Sequence, residues 1–196
     1  MSSNAKLALA WYLSNLAAAP LRTKACTSGF LSGLQELTAQ KLSGAKKFDK
    51  RIIQMAAYGL FISGPLNHYL YELMNAILGR LFAGKPPGKG LKIAQLLFAN
   101  LIISPTMNSV YLTAMAVIAG VTSPAKLKAN LKQGLLRMQK ISWVMSPCSM
   151  IFAQNFLAPT TWVPFFNFIA FLFGTYMNTM IKRRRMKELE EAEKRQ

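Results

Sequence analysis

The chain has 196 residues, of which 52% are hydrophobic and only 16% charged, well below the roughly one-quarter charged that soluble proteins carry. Its 24 Lys and Arg oppose 7 Asp and Glu, for a net charge of +17, which raises a nucleic-acid partner first. That partner, and a soluble enzyme with it, is excluded by the placement of charge: Glu72 is the one carboxylate between Asp49 and Glu188, and the bases gather in short clusters between long uncharged runs, as juxtamembrane anchors do.

The composition therefore predicts an all-α, polytopic transmembrane helix bundle, one integral membrane domain over residues 1–196 with membrane lipids around it. At the N-terminus, Leu9, Leu13 and Leu16 share one helical face, with Trp11 and Tyr12 suited to headgroup level. Residues 1–20 are expected to form an amphipathic interfacial helix. They lack the long apolar core and small-residue cleavage site of a secretory signal, but being acid-poor and basic they leave a mitochondrial presequence open.

A first span is expected at about 24–41, with Glu36 near one end. Ala25, Gly29 and Gly33 recur every fourth residue in it, the spacing that lets helix backbones approach closely in lipid, within one chain or between copies in a homo-oligomer. Cys26 and Cys148 lie far apart in apolar runs and suit core packing better than a disulfide or a metal site.

A basic turn with Lys46, Lys47, Lys50 and Arg51 leads to a second span at 52–79, which Gly64-Pro65 should kink. Gly64, His68, Glu72, Asn75 and Gly79 fall on one face of that helix, flanked by Asn67 and Tyr71. Ionisable groups within a span turn away from lipid. The stripe is expected either to line a pore, facing Asn100 and Asn108 of the third span and Asn155, Asn167 and Asn178 further on, or to hold helices together by hydrogen bonds.

After a Gly- and Pro-rich loop comes a third span at 94–119 containing Pro105. Lys126, Lys128, Lys132, Arg137 and Lys140 then decorate an amphipathic stretch, and residues 142–157 cross, tilt or re-enter. A last span at 164–181 is stopped by Lys182, Arg183, Arg184 and Arg185, which read as membrane-surface anchors; residues 182–196 form a charged tail. The count is four spans or five, and five gathers most basic residues on one side, as the positive-inside rule favours.

Catalysis has no visible apparatus. His68 is the sole histidine, and there is no phosphate-binding Gly loop, HExxH or nucleophile elbow. No cofactor or metal is expected, and the chain is not expected to be an enzyme.

Three segments carry a family resemblance: Trp11 to Gln40, Phe48 to Met74, and Trp143 and Pro147 followed by Asn155, Phe156 and Pro159. With the series Tyr58, Gly59, Gly64, Pro65, His68 and Tyr71, the chain resembles the family of the 22-kDa peroxisomal membrane protein and its mitochondrial inner-membrane relatives. TKACTSGFLSGL and AAYGLFISGPLNH look closer to the peroxisomal branch. Gln35 and Glu36 depart from the family's usual Gly and Asp.

The resemblance implies a multi-pass peroxisomal membrane protein, with the mitochondrial inner membrane as the alternative, acting as a channel for small metabolites. A non-conducting scaffold or sorting protein working through the basic loops and tail is the rival reading. By analogy, the basic clusters suit a peroxisomal membrane-protein import receptor as partner.

Overall fold

The computed structural model describes residues 3–43, 49–84, 88–157 and 161–193, and every regular element among them is helical. The helices are α1 (Ser3–Ala18), α2 (Pro20–Leu42), α3 (Arg51–Tyr58), α4 (Gly64–Leu81), α5 (Lys89–Phe98), α6 (Ser104–Ile118), α7 (Pro124–Phe156) and α8 (Trp162–Glu193). π turns at Gly59–Ser63 and Ala99–Ile103 join α3 to α4 and α5 to α6. Residues 51–81 and 89–118 are thus two continuous rods, each about 45 Å long at 1.5 Å per residue.

The π turns explain how both rods survive a proline. A proline ring clashes with the carbonyl four residues back and donates no hydrogen bond. Here Gly64 N–H reaches back five residues to the Gly59 carbonyl, and Ser104 N–H to that of Ala99, so the widened turn makes room just before Pro65 and Pro105. Pro147 likewise lies within α7 without ending it. Residues 142–157 are the second half of that single 33-residue helix.

Five rods form a ring in chain order: α2, 51–81, 89–118, α7 and α8. The first seam is the tightest. A Cβ added to Gly29 would come 3.0 Å from Leu60 Cβ, one on Gly33 3.2 Å from Ala56 Cβ, and one on Gly64 2.6 Å from Ala25 Cα. Gly59 is pressed against Gly29 and Ser28 with no room for a side chain. The small residues of α2 therefore meet the second rod of the same chain, in antiparallel register.

Met74 and Leu78 pack on Ile103 to join the second rod to the third. Gly134 of α7 sits beneath Leu112. Phe152 of α7 stacks on Phe165 of α8, centroids 5.6 Å apart. Five rods alternating in direction leave the first and last parallel, so closure joins α8 to α2 side by side. There, Gln35 Nε2 donates to the Ala170 carbonyl at 3.0 Å, and Lys182 Nζ lies 2.6 Å from Glu36 Oε1. α1 folds back on the start of α2, where Tyr12 and Thr27 hydroxyls are 3.3 Å apart.

Many polar groups are buried beside the apolar core, and many large apolar side chains are exposed. Glu36 and Asn178 are fully buried, and Gln40, His68, Asn108 and Gln139 nearly so, while Phe30, Phe61, Leu73, Leu101, Val144 and Phe168 are exposed. A hydrocarbon solvent imposes this distribution, and water the reverse. Among the described residues, one helix, Gly90–Ile118, is long and apolar enough to cross a membrane by length and hydropathy alone.

Several sequence expectations require correction. Cys26 and Cys148 are exposed, on the outward faces of α2 and α7. Leu7 and Trp11 are exposed on α1 while Tyr12, Leu13 and Leu16 are half-buried, so apolar residues lie on both sides of this helix. For the charged tail, expected as either a charged helix or disorder, the helical form is found: α8 runs through Glu193.

Lys182→Met would leave the Glu36 carboxylate buried without its cation, and the fold should lose about 3–5 kcal/mol. Glu36→Gln with Lys182→Met should recover much of the loss. Thermal unfolding of both variants in detergent checks this.

Candidate functional site

A cavity of about 510 Å³ lies on the ring axis, with residues of all five rods and Tyr12 of α1 on its wall. Short polar side chains, among them Ser28, Ser32, Ser63, Asn67, Asn100 and Asn167, share the wall with larger ones such as Leu31, Tyr71, Met107 and Phe173. Lys24 is the one charged side chain on the wall among the described residues.

One side of the wall is rigidified by a network that the proline creates. Pro105 has no N–H for the carbonyl five residues back, that of Asn100. This orphan accepts instead from α7: Trp143 Nε1 at 2.8 Å and Gln139 Nε2 at 3.3 Å. Gln139 Oε1 in turn accepts from Asn108 Nδ2 at 2.9 Å, and Asn108 also reaches Ser142 Oγ at 3.2 Å. The buried amides are thus satisfied within the 89–118 and α7 seam.

A closed layer ends the cavity near the C-terminus of α2. Tyr111, on the cavity wall, donates to Asn178 Oδ1; Asn178 Nδ2 donates to Glu36 Oε2 at 3.3 Å; Gln40 Nε2 donates to Glu36 Oε1 at 3.2 Å. Lys182 completes the set against Glu36. Met55, Tyr58 and Met115 pack alongside, with Tyr58 edge-on to Tyr111 at 6.3 Å between centroids. Polar and apolar groups together fill the axis at this level.

Toward the other end, Lys24 Nζ is 3.4 Å from His68 Nδ1, and His68 Nε2 is 3.4 Å from Glu72 Oε1. With a protonated lysine the ring must accept at Nδ1 and donate from Nε2 to the carboxylate. The arrangement links the cavity wall to the outer surface through one buried imidazole.

The structure divides the residues singled out from sequence. Gly64, Asn100 and Asn108 are on the cavity wall, together with Asn67 and Tyr71. His68 is buried behind it against Lys24, and Glu72, Asn75 and Gly79 are exposed. The lining face of the second rod is 63, 64, 67 and 71, about a quarter-turn from the stripe the sequence favoured.

Among the basic residues, Lys50 is exposed and Arg51 half-buried. Lys182 is not a surface anchor: its side chain is 11% exposed and tied to Glu36. Arg183 Nη2 donates to the Leu42 carbonyl at 3.4 Å and Arg184 Nη2 to Gln133 Oε1 at 2.9 Å. Lys46 and Lys47 lie outside the described residues, and Arg185 is described only as helical backbone. Sequence reading singled out Asn178 but missed Tyr111 and Gln139; the presence of uncharged hydrogen-bonding side chains within apolar runs was their only signal.

Residues 116–178 match the Mpv17 / PMP22 family profile. The chain is 46% identical over 186 residues to the Woronin body membrane protein wscA of Aspergillus fumigatus, covering 92% of this chain and 79% of that protein. It is 30% identical over 184 residues to peroxisomal membrane protein 2 of Bos taurus, covering 89% and 90%. The chain belongs to the Mpv17/PMP22 family. It is also 41% identical over 183 residues to the Woronin sorting complex protein of Neurospora crassa, covering 91% of this chain and 58% of that longer protein. No solved structure matches the chain.

Gln139→Leu should leave the Asn108 amide and the Asn100 carbonyl short of partners and cost about 1–3 kcal/mol. Asn108→Leu combined with Gln139→Leu should cost less than the sum of the two single changes. A double-mutant cycle on unfolding in detergent measures the difference.

Proposed function

We propose that this member of the family forms a pore for small hydrophilic solutes in the peroxisomal membrane. The five rods would cross the bilayer, the axial cavity would be the vestibule, and the layer of Glu36, Lys182, Asn178 and Tyr111 the constriction. One observation carries the reading: a cavity reached by all five rods, with many uncharged polar side chains and the single charge of Lys24 on its described wall, within a chain that exposes many large apolar side chains. Its size suits a small metabolite. Lys24 on the wall would favour anionic solutes over cationic ones. The relatives named for the peroxisomal and Woronin body membranes support the location.

A second reading, a scaffold that assembles with other chains, is favoured by α7. Lys128, Lys132, Arg137 and Lys140 are exposed on it, and Arg137 and Lys140 flank Gln139, which meets Asn108 near the middle of the 89–118 rod. Lipid solvates charges poorly at that depth, whereas a second copy or a protein partner could cover them. The relative named as a Woronin sorting complex protein fits this reading.

Single-channel current from purified protein in planar bilayers separates the two. The pore reading expects discrete openings, with unitary conductance reduced at least about twofold by Asn67→Leu with Ser146→Leu, two exposed positions on the cavity wall. Glu72→Ala, off the wall, should leave conductance unchanged. Folded protein that stays silent at all voltages would favour the scaffold, and deletion of residues 186–196 should then release a partner.

A further inference from the structure

Beyond the axial cavity, a second cleft of about 400 Å³ lies between α3, α6, α7 and α8, at the end of the bundle where α2 and α6 finish and α3 and α7 begin. The two spaces share no lining residue. Arg51, Lys126, Lys182 and Arg184 line this cleft together with the amides Asn130 and Gln133, and no carboxylate does among the described residues. Its remaining wall is apolar, chiefly Leu112, Met115, Ala116, Val121 and Ile181.

Two of the four cations are already engaged. Glu36 occupies Lys182 from behind, at 2.6 Å, and Arg184 holds Gln133. Asp49, the nearest acid in sequence, accepts from the backbone N–H of Arg51 at 3.4 Å and does not line the cleft. Arg51 Nε is buried and has no hydrogen-bond partner among the described residues. A buried guanidinium donor of this kind calls for an acceptor, and a guanidinium beside further cations matches the oxygens of a phosphate group.

We propose that this cleft binds a phosphate group attached to an apolar body, the cations and amides holding the phosphate and the α6 wall the apolar part. An anionic phospholipid of the surrounding membrane has this chemistry, and a soluble phosphate shares its charged half. The cleft shares no lining residue with the axial cavity, but Lys182 also belongs to the layer proposed as the constriction, so binding rather than conductance is measured.

The test uses full-length, delipidated protein in detergent, with bound ligand counted by native mass spectrometry and stabilisation followed by thermal unfolding. The probes are phosphatidic acid, phosphatidylcholine and inorganic phosphate. Phosphatidic acid is expected to bind and raise the unfolding temperature, and phosphatidylcholine is not. Each cation is worth about fivefold in affinity at a membrane surface, so Arg51→Gln with Lys126→Gln should weaken binding about 25-fold.

Lys126→Gln alone, at an exposed position, should weaken it about fivefold without disturbing the fold. Lys128→Gln, on the same helix but off the cleft, should change nothing. Inorganic phosphate that stabilises the wild type and not the double variant would support the phosphate site with a soluble source. Equal binding of phosphatidic acid by wild type and both Lys126 variants, equal binding of the two lipids, or binding of no probe would overturn the proposal.

Discussion

The ion pair between Glu36 and Lys182 holds the ring of helices shut. Removing both charges from water carries a penalty that only a close partner and further hydrogen bonds offset. Glu36 has all of these: the ammonium at 2.6 Å, Gln40 on one oxygen and Asn178 on the other. A parallel contact between the first and last rods, joined through the whole intervening chain, gains nothing from local sequence, so its register must be set by such a specific pairing. The axial cavity exists because the ring closes there, and the layer that ends the cavity is the same set of side chains.

The rest of the ring shows how a polar interior is built without water-like solvation. Along the first seam, glycine and alanine bring two backbones together so closely that no side chain could intervene. Along the third, a proline frees the Asn100 carbonyl, and the adjacent helix supplies both of its donors. Met55, Tyr58 and Met115 pack together at one level, whereas serines and asparagines stand among larger side chains on the wall of the cavity.

Much of the helical layout was legible in the sequence because span signals are local. The apolar runs at 24–41 and 52–79, each with a single carboxylate and with basic residues near its ends, overlap α2 and residues 51–81, and the four-residue recurrence of Ala25, Gly29 and Gly33 marks the tight seam. Residues 124–156 were harder to read. Their first half is basic and their second carries Pro147, so two dissimilar local patterns concealed one continuous helix. The lining face of the second rod was misplaced by about a quarter-turn because His68 and Glu72 are the chemically conspicuous residues there, yet one turns to Lys24 and the other outward.

By itself the sequence determined that the chain is helical, that apolar surface must face a non-aqueous solvent, and that small residues allow one close helix contact. These follow from composition and from periodicity within a single helix. Only the tertiary structure decided that Glu36 belongs to Lys182, that Asn100 depends on α7, and that Arg51, Lys126, Lys182 and Arg184 share a cleft. The physical reason is that pairing energies between buried polar groups depend on distances of a few ångströms between residues remote in sequence, and no local pattern encodes those distances.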